Sequence, residues 1–232
     1  MPTRVNALAV MAKAPVCGTV KTRLVPPLTL EQATELYRAL LQDQLEHLTA
    51  LESAELYLAF TPADALPLIA SMAPGGYGCF AQRGGDLGER MNDVFAELRR
   101  RGHGNLIVIG SDLPPVPLGT FDQAFAQLSG GGKRVVLGPS RDGGYYLVGM
   151  NQPVPEIFSG MTWSHEHVLA QTTDKLTRLD IDFGLLPEWF DVDTVEDIER
   201  LRAISDIGVR NAMQRTLACL QRIAGSGCFS VH

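Results

Sequence analysis

The 232-residue sequence lacks several features that identify common classes of protein. No apolar run approaches the roughly 18 residues of a membrane-spanning helix, so no membrane partner is expected. The four cysteines are scattered, with neither a CxxC pair nor a metal-finger spacing, which excludes a zinc finger and indicates reduced thiols. Positive charge is also scarce, because the net charge is −6 and general nucleic-acid binders usually have a basic surface. We therefore expect a cytoplasmic protein that does not bind nucleic acid.

Acidic residues are missing from the beginning of the chain. Arg4, Lys13, Lys21 and Arg23 all precede the first acidic residue, Glu31. An acidic protein with a basic N-terminal segment favours a small anionic ligand over a polymer.

Apolar runs of strand length alternate with helical patterns, and internal repeats are absent. The predicted strands are 5–12, 55–60, 77–82, 106–109, 135–137, 145–148 and 176–181. The predicted helices begin near residues 29, 62, 86, 121, 164 and 194. This alternation predicts an α/β fold, a single domain in which helices cover both faces of a mainly parallel sheet.

The predicted domain extends over residues 1–204, and residues 205–232 are predicted to form a C-terminal helix and a tail after a Gly225-Ser226-Gly227 break. Four apolar positions of that helix could form the seam of a homodimer or pack into the core: Val209, Met213, Leu217 and Leu220.

The loop Lys13–Leu24 directly follows the first predicted strand. Ligands of open α/β sheets bind beyond the carboxyl ends of the strands. Gly18 would let the backbone approach a phosphate, while Lys21 and Arg23 supply positive charge. The loop is not a Walker A motif, because the G-x-x-x-x-G-K-[ST] frame is missing. Lys13, Gly18, Lys21 and Arg23 are thus candidate phosphate-binding residues, and a solvated basic loop is the alternative.

The segment Gly110–Pro117 follows the most apolar predicted strand. Asp112 is its first charged residue, and three prolines would stiffen the loop around it. Mg²⁺ binds one or two protein carboxylates together with substrate phosphates, so Asp112 is a candidate metal ligand. The alternative is an aspartate that only forms a turn.

The segment Phe190–Thr194 contains two aspartates, Asp191 and Asp193, that would point to one side of an extended chain. Two carboxylates on one side suit a divalent metal. Asp193 or Thr194 could instead cap the following helix.

Two weaker patches complete the candidate site. Arg83, Gly84 and Asp86 follow the third strand in a glycine-rich loop that could hold the nucleotide. A turn of Asp142, Gly143 and Gly144, followed by Tyr145, enters a later strand and could face an acceptor. Glycine and aspartate are ordinary turn residues, so each patch alone is a weak signal.

Five segments in this order resemble a bacterial family of GT-A-fold glycosyltransferases, some of them linked to arsenosugar biosynthesis. That family is similar to the molybdenum-cofactor and phospholactate nucleotidyltransferases. The segments are Lys13–Leu24 (K-x-P-x-x-G-x-x-K-T-R-L), Gly110–Pro114 (G-S-D-x-P), Asp142–Gly149 (D-G-G-Y-Y-L-x-G), Met161–Ser164 and Phe190–Thr194. The resemblance covers about residues 5–204.

The resemblance implies a nucleotide-diphospho-sugar transferase fold, with Lys21 and Arg23 on phosphates and Asp112 on Mg²⁺ or Mn²⁺. It also places Trp163 on the acceptor side. One departure favours the nucleotidyltransferase branch. Many glycosyltransferases of this fold have D-x-D at the end of the central strand, whereas this chain has Ser111-Asp112 followed by Leu113-Pro114.

The leading hypothesis is therefore magnesium-dependent nucleotidyl transfer from a nucleoside triphosphate to a phosphorylated small molecule, with Lys21, Arg23 and Asp112 as the catalytic residues. Glycosyl transfer from a nucleotide-sugar is the second hypothesis. A non-catalytic nucleotide-binding protein is the third.

Overall fold

Seven apolar segments form one sheet in the computed structural model, which describes residues 5–225. The strands are β1 Asn6–Lys13, β2 Glu55–Thr61, β3 Gly78–Ala81, β4 Asn105–Ile109, β5 Arg134–Pro139, β6 Tyr145–Met150 and β7 Asp182–Leu185. Their order across the sheet is β3-β2-β1-β4-β6-β5-β7. Of these seven strands only β6 is antiparallel to its neighbours, so the prediction of a single-domain, mainly parallel sheet is confirmed. Arg4 and the predicted tail beyond residue 225 lie outside the described residues.

Residues 5–225 contain eight α-helices, which pack on the sheet or on helices that cover it. They are α1 Leu30–Leu48, α2 Leu66–Met72, α3 Leu87–Arg100, α4 Leu118–Leu128, α5 Val168–Arg178, α6 Val195–Ala203, α7 Ile207–Ala212 and α8 Gln214–Gly225. None of these helices combines the length and the hydrophobicity that a membrane span requires.

The two faces of the sheet are both buried because strand side chains alternate in direction. Leu8 and Val10 of β1 pack with α1, α2 and α4, whereas Ala7 and Ala9 pack with α3 and α5. Every residue of β4 is buried, which explains the apolar run that follows Asn105.

Two predicted boundaries were wrong around the last strand. The helix predicted to begin at Ser164 begins at Val168, because Ser164 has a left-handed φ of 65°. The first half of the strand predicted at Leu176–Ile181 lies in α5, where Val168, Thr172 and Leu176 are buried at helical spacing. The helix ends before Asp180, which has a φ of 53°, and the strand follows it as β7.

Helix α1 is buried on two sides, by the sheet and by a further layer of helices. Val209, Met213 and Leu220 are buried in a cluster with α1 and α6, and Leu217 packs against it. These positions, considered above as a dimer seam, thus pack into the core of this chain.

Asp43 on α1 connects the two layers by hydrogen bonds. Its side chain is buried and accepts hydrogen bonds from the backbone N–H groups of Arg215 (3.2 Å) and Thr216 (2.8 Å) at the beginning of α8. The Arg215 guanidinium lies 3.3 Å from the same carboxylate. A carboxylate at the N-terminus of a helix satisfies free N–H groups and complements the helix dipole.

We expect Asp43→Ala to lower the free energy of unfolding by about 2 kcal/mol, because buried N–H groups lose their acceptor. Glu35→Ala is the matched control, since it removes the other ion pair between α1 and α8, with Arg222, at an exposed position. Its cost should stay below about 1 kcal/mol. Urea unfolding of the two variants measures both values, and equal losses would show that Asp43 has no special part in holding α8.

Candidate active site

Three loops converge at one edge of the sheet. The carboxyl ends of β1 and β4 lie side by side there, because the two strands are adjacent and parallel. The amino end of β6 lies at the same edge, because β6 runs antiparallel to β4. The loops that follow β1 and β4 and the turn that precedes β6 surround a cavity of about 480 Å³. This volume lies within the usual range for a small-molecule site.

Lys21 lies at the centre of this edge. Its ammonium Nζ is 2.8 Å from Asp112 Oδ2 and 2.8 Å from Asp193 Oδ1, and its side chain is only 2% exposed. The residue has a left-handed φ of 50°, a conformation that lysine rarely adopts. A 3₁₀ turn at Thr22–Leu24 follows directly, and buried Leu24 anchors it in the core. The ion pairs and this anchor hold Lys21 in place.

The two partners of Lys21 come from 91 and 172 residues further along the chain. Burial lowers the pKa of Lys21, but the carboxylates of Asp112 and Asp193 outweigh burial and raise it above its usual value. Burial raises the pKa of Asp112, yet the Lys21 ammonium holds it below the usual range. Lys21 and Asp112 are therefore both charged at neutral pH.

Asp191 and Asp193 line the same cavity wall. Val192 between them is fully buried, and its N–H donates to the Asp112 carbonyl (3.0 Å). Asp191 accepts a hydrogen bond from Ser140 Oγ (3.0 Å). Burial, followed by the neighbouring charge of Asp112, raises the pKa of Asp191 to about 8.

Thr194, and not Asp193, caps the helix that follows. The Thr194 hydroxyl accepts from the Asp197 N–H, and the Asp197 carboxylate accepts from the Thr194 N–H (2.8 Å). The carboxylate of Asp193 thus remains available to Lys21.

The other basic residues of the loop after β1 do not lie beside Lys21 between the aspartates. Lys13 lines the cavity and its Nζ donates to the Thr19 carbonyl (2.7 Å). Arg23 is 68% exposed and lies 3.5 Å from Asp193 Oδ2. Gly18, with a φ of 78°, forms the turn and lies outside the cavity wall.

The glycine-rich loop after β3 lies outside the cavity wall, although residues on either side of it line the wall. Arg83, Gly84 and Asp86 lie outside it, whereas Gln82 and Arg90 line it. The Asp86 carboxylate instead caps α3, and Gly84 packs tightly on the beginning of that helix. The sequence alone could not separate a loop residue that faces a ligand from one that caps a helix.

The turn before β6 brings Asp142, Gly144 and Tyr145 to the cavity. Gly143 faces away, because a Cβ there would lie 2.0 Å from the Glu166 carbonyl oxygen. This close approach explains why the position needs glycine.

Trp163 also lines the cavity, next to the turn before β6. Its indole N–H is buried and has no hydrogen-bond partner among residues 5–225. Its ring packs against α3 at Gly88, where a Cβ would lie 2.9 Å from the indole.

Sequence reasoning missed Tyr37 on α1. Its buried hydroxyl accepts from the Lys13 N–H (3.0 Å), contacts the Lys13 carbonyl (2.9 Å) and lies 2.8 Å from Ser111 Oγ. Burial raises the pKa of Tyr37 to about 12, so the hydroxyl stays protonated. Tyr37 thereby joins the loops after β1 and β4. The sequence did contain one indication of this role, a tyrosine on the leucine-rich face of the helix. A tyrosine buried there needs a hydrogen-bond partner for its hydroxyl.

Oxygen ligands dominate the charged wall. Among residues 5–225, no group of three His, Cys, Asp or Glu side chains is arranged to hold a metal ion by itself. The carboxylates of Asp112, Asp191 and Asp193 are nevertheless the hard ligands that Mg²⁺ and Mn²⁺ prefer. Mg²⁺ commonly takes only one or two protein carboxylates and completes its shell with substrate phosphates and water. The residues present fit that mode of binding.

Comparison with known proteins identifies relatives. The family model described as "Uncharacterized protein conserved in bacteria (DUF2064)" matches residues 44–165. A crystal structure from Desulfovibrio desulfuricans G20, provisionally named a nucleotide-diphospho-sugar transferase, is 33% identical, with a TM-score of 0.85 over 95% of each chain. Among curated proteins, none matches this chain.

Two more distant structures share the fold. One is a 4-diphosphocytidyl-2C-methyl-D-erythritol synthase, 13% identical, with a TM-score of 0.54 over 88% of this chain and 99% of that chain. The other is a mannose-1-phosphate geranyltransferase from Thermus thermophilus, 16% identical, with a TM-score of 0.57 over 86% of this chain and 80% of that chain. The predicted nucleotide-diphospho-sugar transferase fold is confirmed by the Desulfovibrio structure.

We expect Tyr37→Phe to weaken the binding of inorganic pyrophosphate by about 10-fold, because the loop after β1 loses the hydrogen bonds that fix it to the loop after β4. Tyr77→Phe is the control, since the Tyr77 hydroxyl bonds the Leu45 carbonyl and lies outside the cavity wall. Titration calorimetry measures the affinity, and urea unfolding measures the stability of both variants. Equal pyrophosphate affinities in the two variants would contradict a positioning role for Tyr37.

Proposed function

Since this chain belongs to the bacterial DUF2064 family and is 33% identical to the Desulfovibrio protein over 95% of its length, we propose that it is a divalent-metal-dependent transferase of nucleotides or nucleotide-sugars. The observation that carries the proposal is the convergence of Lys21, Asp112 and Asp193 in one cavity at the carboxyl edge of the sheet. A cation between carboxylates at that edge is suited to a ligand that brings both phosphates and a metal.

The rest of the cavity wall supports a nucleotide as the ligand. A nucleotide combines a planar base with a strongly charged phosphate group, so its site needs apolar surface and cations together. Met11, Met91 and Trp163 supply apolar surface, while Lys13 and Arg90 add positive charge.

The proposed metal ligands are Asp112, Asp191 and Asp193. A bound Mg²⁺ or Mn²⁺ would neutralise phosphate charge and orient the phosphates. Because burial and Asp112 raise the pKa of Asp191 and disfavour its ionised form, a nearby cation would stabilise its carboxylate.

The proposed reaction is nucleotidyl transfer. An oxygen of the acceptor phosphate attacks the α-phosphorus of a nucleoside triphosphate, a new P–O bond forms, and the bond to the β-phosphate oxygen breaks as pyrophosphate leaves. Lys21 and Arg23 would stabilise the charge on the phosphates, so the protein acts by positioning and electrostatics. Arg23 lies outside the cavity wall and is mostly exposed, so its guanidinium would have to turn from Asp193 towards an incoming phosphate.

The acceptor would bind opposite the phosphates, beside Asp142, Gly144, Tyr145 and Trp163. Trp163 would contribute ring surface to this side of the cavity. Gly143 would act indirectly, by letting the turn pack against Glu166.

Glycosyl transfer from a nucleotide-sugar is the second candidate. It is favoured by the provisional name of the Desulfovibrio relative. Nucleotidyl transfer is preferred because one aspartate, Asp112, and not a D-x-D pair, follows β4, and because a buried lysine lies beside it.

A donor screen separates the two reactions. We expect pyrophosphate release when a nucleoside triphosphate, Mg²⁺ or Mn²⁺ and a panel of phosphorylated acceptors are incubated with the protein. Pyrophosphatase converts the released pyrophosphate to phosphate, which is then measured. Release of a nucleoside diphosphate from a sugar donor, without any pyrophosphate, would establish glycosyl transfer instead. Binding of nucleotide with no turnover of either donor class would indicate a non-catalytic protein.

We expect Asp112→Asn to reduce metal-dependent turnover by about 100-fold or more, because the amide lacks the negative charge of the carboxylate. The melting temperature should also fall, because the amide removes one of the two carboxylates that balance the buried Lys21 ammonium, so turnover is measured on folded protein well below that temperature. Asp182→Asn on β7, an exposed position remote from the cavity, is the matched control. Full magnesium-dependent turnover by Asp112→Asn would show that Asp112 is not a metal ligand.

A further inference from the structure

Lys21 occupies the space between two of the carboxylates to which the proposed function assigns a metal. Its ammonium is 2.8 Å from each of Asp112 and Asp193. Mg²⁺–oxygen distances are about 2.0–2.1 Å, so an ion bound between the same two oxygens would lie within a few ångströms of Nζ. Two cations that close repel each other strongly in a partly buried site. The ammonium and the ion therefore compete for the same oxygens.

We propose that Lys21 is the resident counter-ion of these carboxylates, and that it leaves them when a phosphate binds, so that metal and phosphate bind together. This inference rests on the proposed function, because it takes Asp112 and Asp193 as the metal ligands. In the free protein the positive charge of Lys21 compensates the negative charges of Asp112 and Asp193, which would otherwise repel each other. A phosphate in the cavity gives the ammonium a second anionic partner and releases the carboxylate oxygens.

The geometry makes this exchange specific to Lys21. The side chain is 2% exposed, and Asp112 and Asp193 are the carboxylates that balance its charge in the free protein. Lys13 also lines the cavity, but its ammonium bonds the Thr19 carbonyl. Arg23 lies at 3.5 Å from Asp193, is mostly exposed, and is thus a weaker competitor.

Thermodynamic reciprocity gives the consequence. If phosphate binding frees the metal ligands, then phosphate raises the affinity for the metal, and the metal raises the affinity for phosphate by the same factor. The free protein should bind a divalent ion weakly by itself. Removing the Lys21 charge should make the ion bind tightly without any phosphate.

The test measures Mn²⁺ binding in the absence of nucleotide, from the electron paramagnetic resonance signal of the free ion. We expect Lys21→Gln to bind Mn²⁺ about 10-fold or more tightly than the wild-type chain, since the ion no longer displaces a charge-assisted contact. Lys13→Gln removes the same charge from the same cavity wall and is the control, with an expected change below about 3-fold. Lys21→Gln binding Mn²⁺ no more tightly than Lys13→Gln would overturn the proposal.

A second measurement uses the wild-type chain and covers the case in which Lys21→Gln does not fold. Mn²⁺ affinity is determined at increasing concentrations of inorganic phosphate, with protein-free samples correcting for the weak Mn²⁺–phosphate complex. A rising affinity supports the exchange, and an affinity independent of phosphate overturns it. Neither measurement needs turnover, so the inference can fail while the donor screen succeeds, and the reverse.

Discussion

The charge balance at the carboxyl edge of the sheet is the interaction on which the site depends. The fold brings Asp112 and Asp193 to one place, and the cation between them offsets the repulsion of their charges. That cation is supplied by Lys21, from a third part of the chain. Backbone contacts reinforce the arrangement, since the N–H of Val192 donates to the Asp112 carbonyl. The three segments thus meet in one cluster of ion pairs and hydrogen bonds.

Helix α1 packs between the sheet and the C-terminal helices and contacts the loops that carry Lys21 and Asp112. Its inner face packs on the sheet, and Tyr37 on that face reaches the ends of β1 and β4 through its hydroxyl. Its outer face packs against α6, α7 and α8, where Asp43 holds the beginning of α8. The C-terminal layer therefore contributes to the site through α1, although α7 and α8 contribute no residue to the cavity wall.

The order and type of most strands and helices could be predicted from the sequence. A strand that is buried on both faces has an apolar run, such as that of β4, which is visible in the sequence. It failed around α5 and β7, where Leu176 could be assigned to a strand or to a helix, and only the packing of Val168 and Thr172 decides between them. The positions of Asp112, Asp191 and Asp193 could be anticipated, because strand ends and alternation are local properties. The partners of Lys21 could not, since they depend on contacts over 91 and 172 residues. Tyr37 was missed for the same reason.

The reversed direction of β6 divides the cavity between two parts of the chain. The basic loop and Asp112 follow parallel strands of one half of the sheet, whereas the turn at Asp142 precedes β6 and is fastened to the segment before α5 through Gly143. The segment Asp191–Asp193 joins the two walls, because Asp191 accepts a hydrogen bond from Ser140 and Asp193 pairs with Lys21. The wall around Asp142 and Trp163 is built from one hairpin and one connection, whereas the wall around Lys21 follows the central strands β1 and β4. A fold built in this way can change the hairpin wall of its cavity by local substitutions while the strands that carry the other wall stay in place.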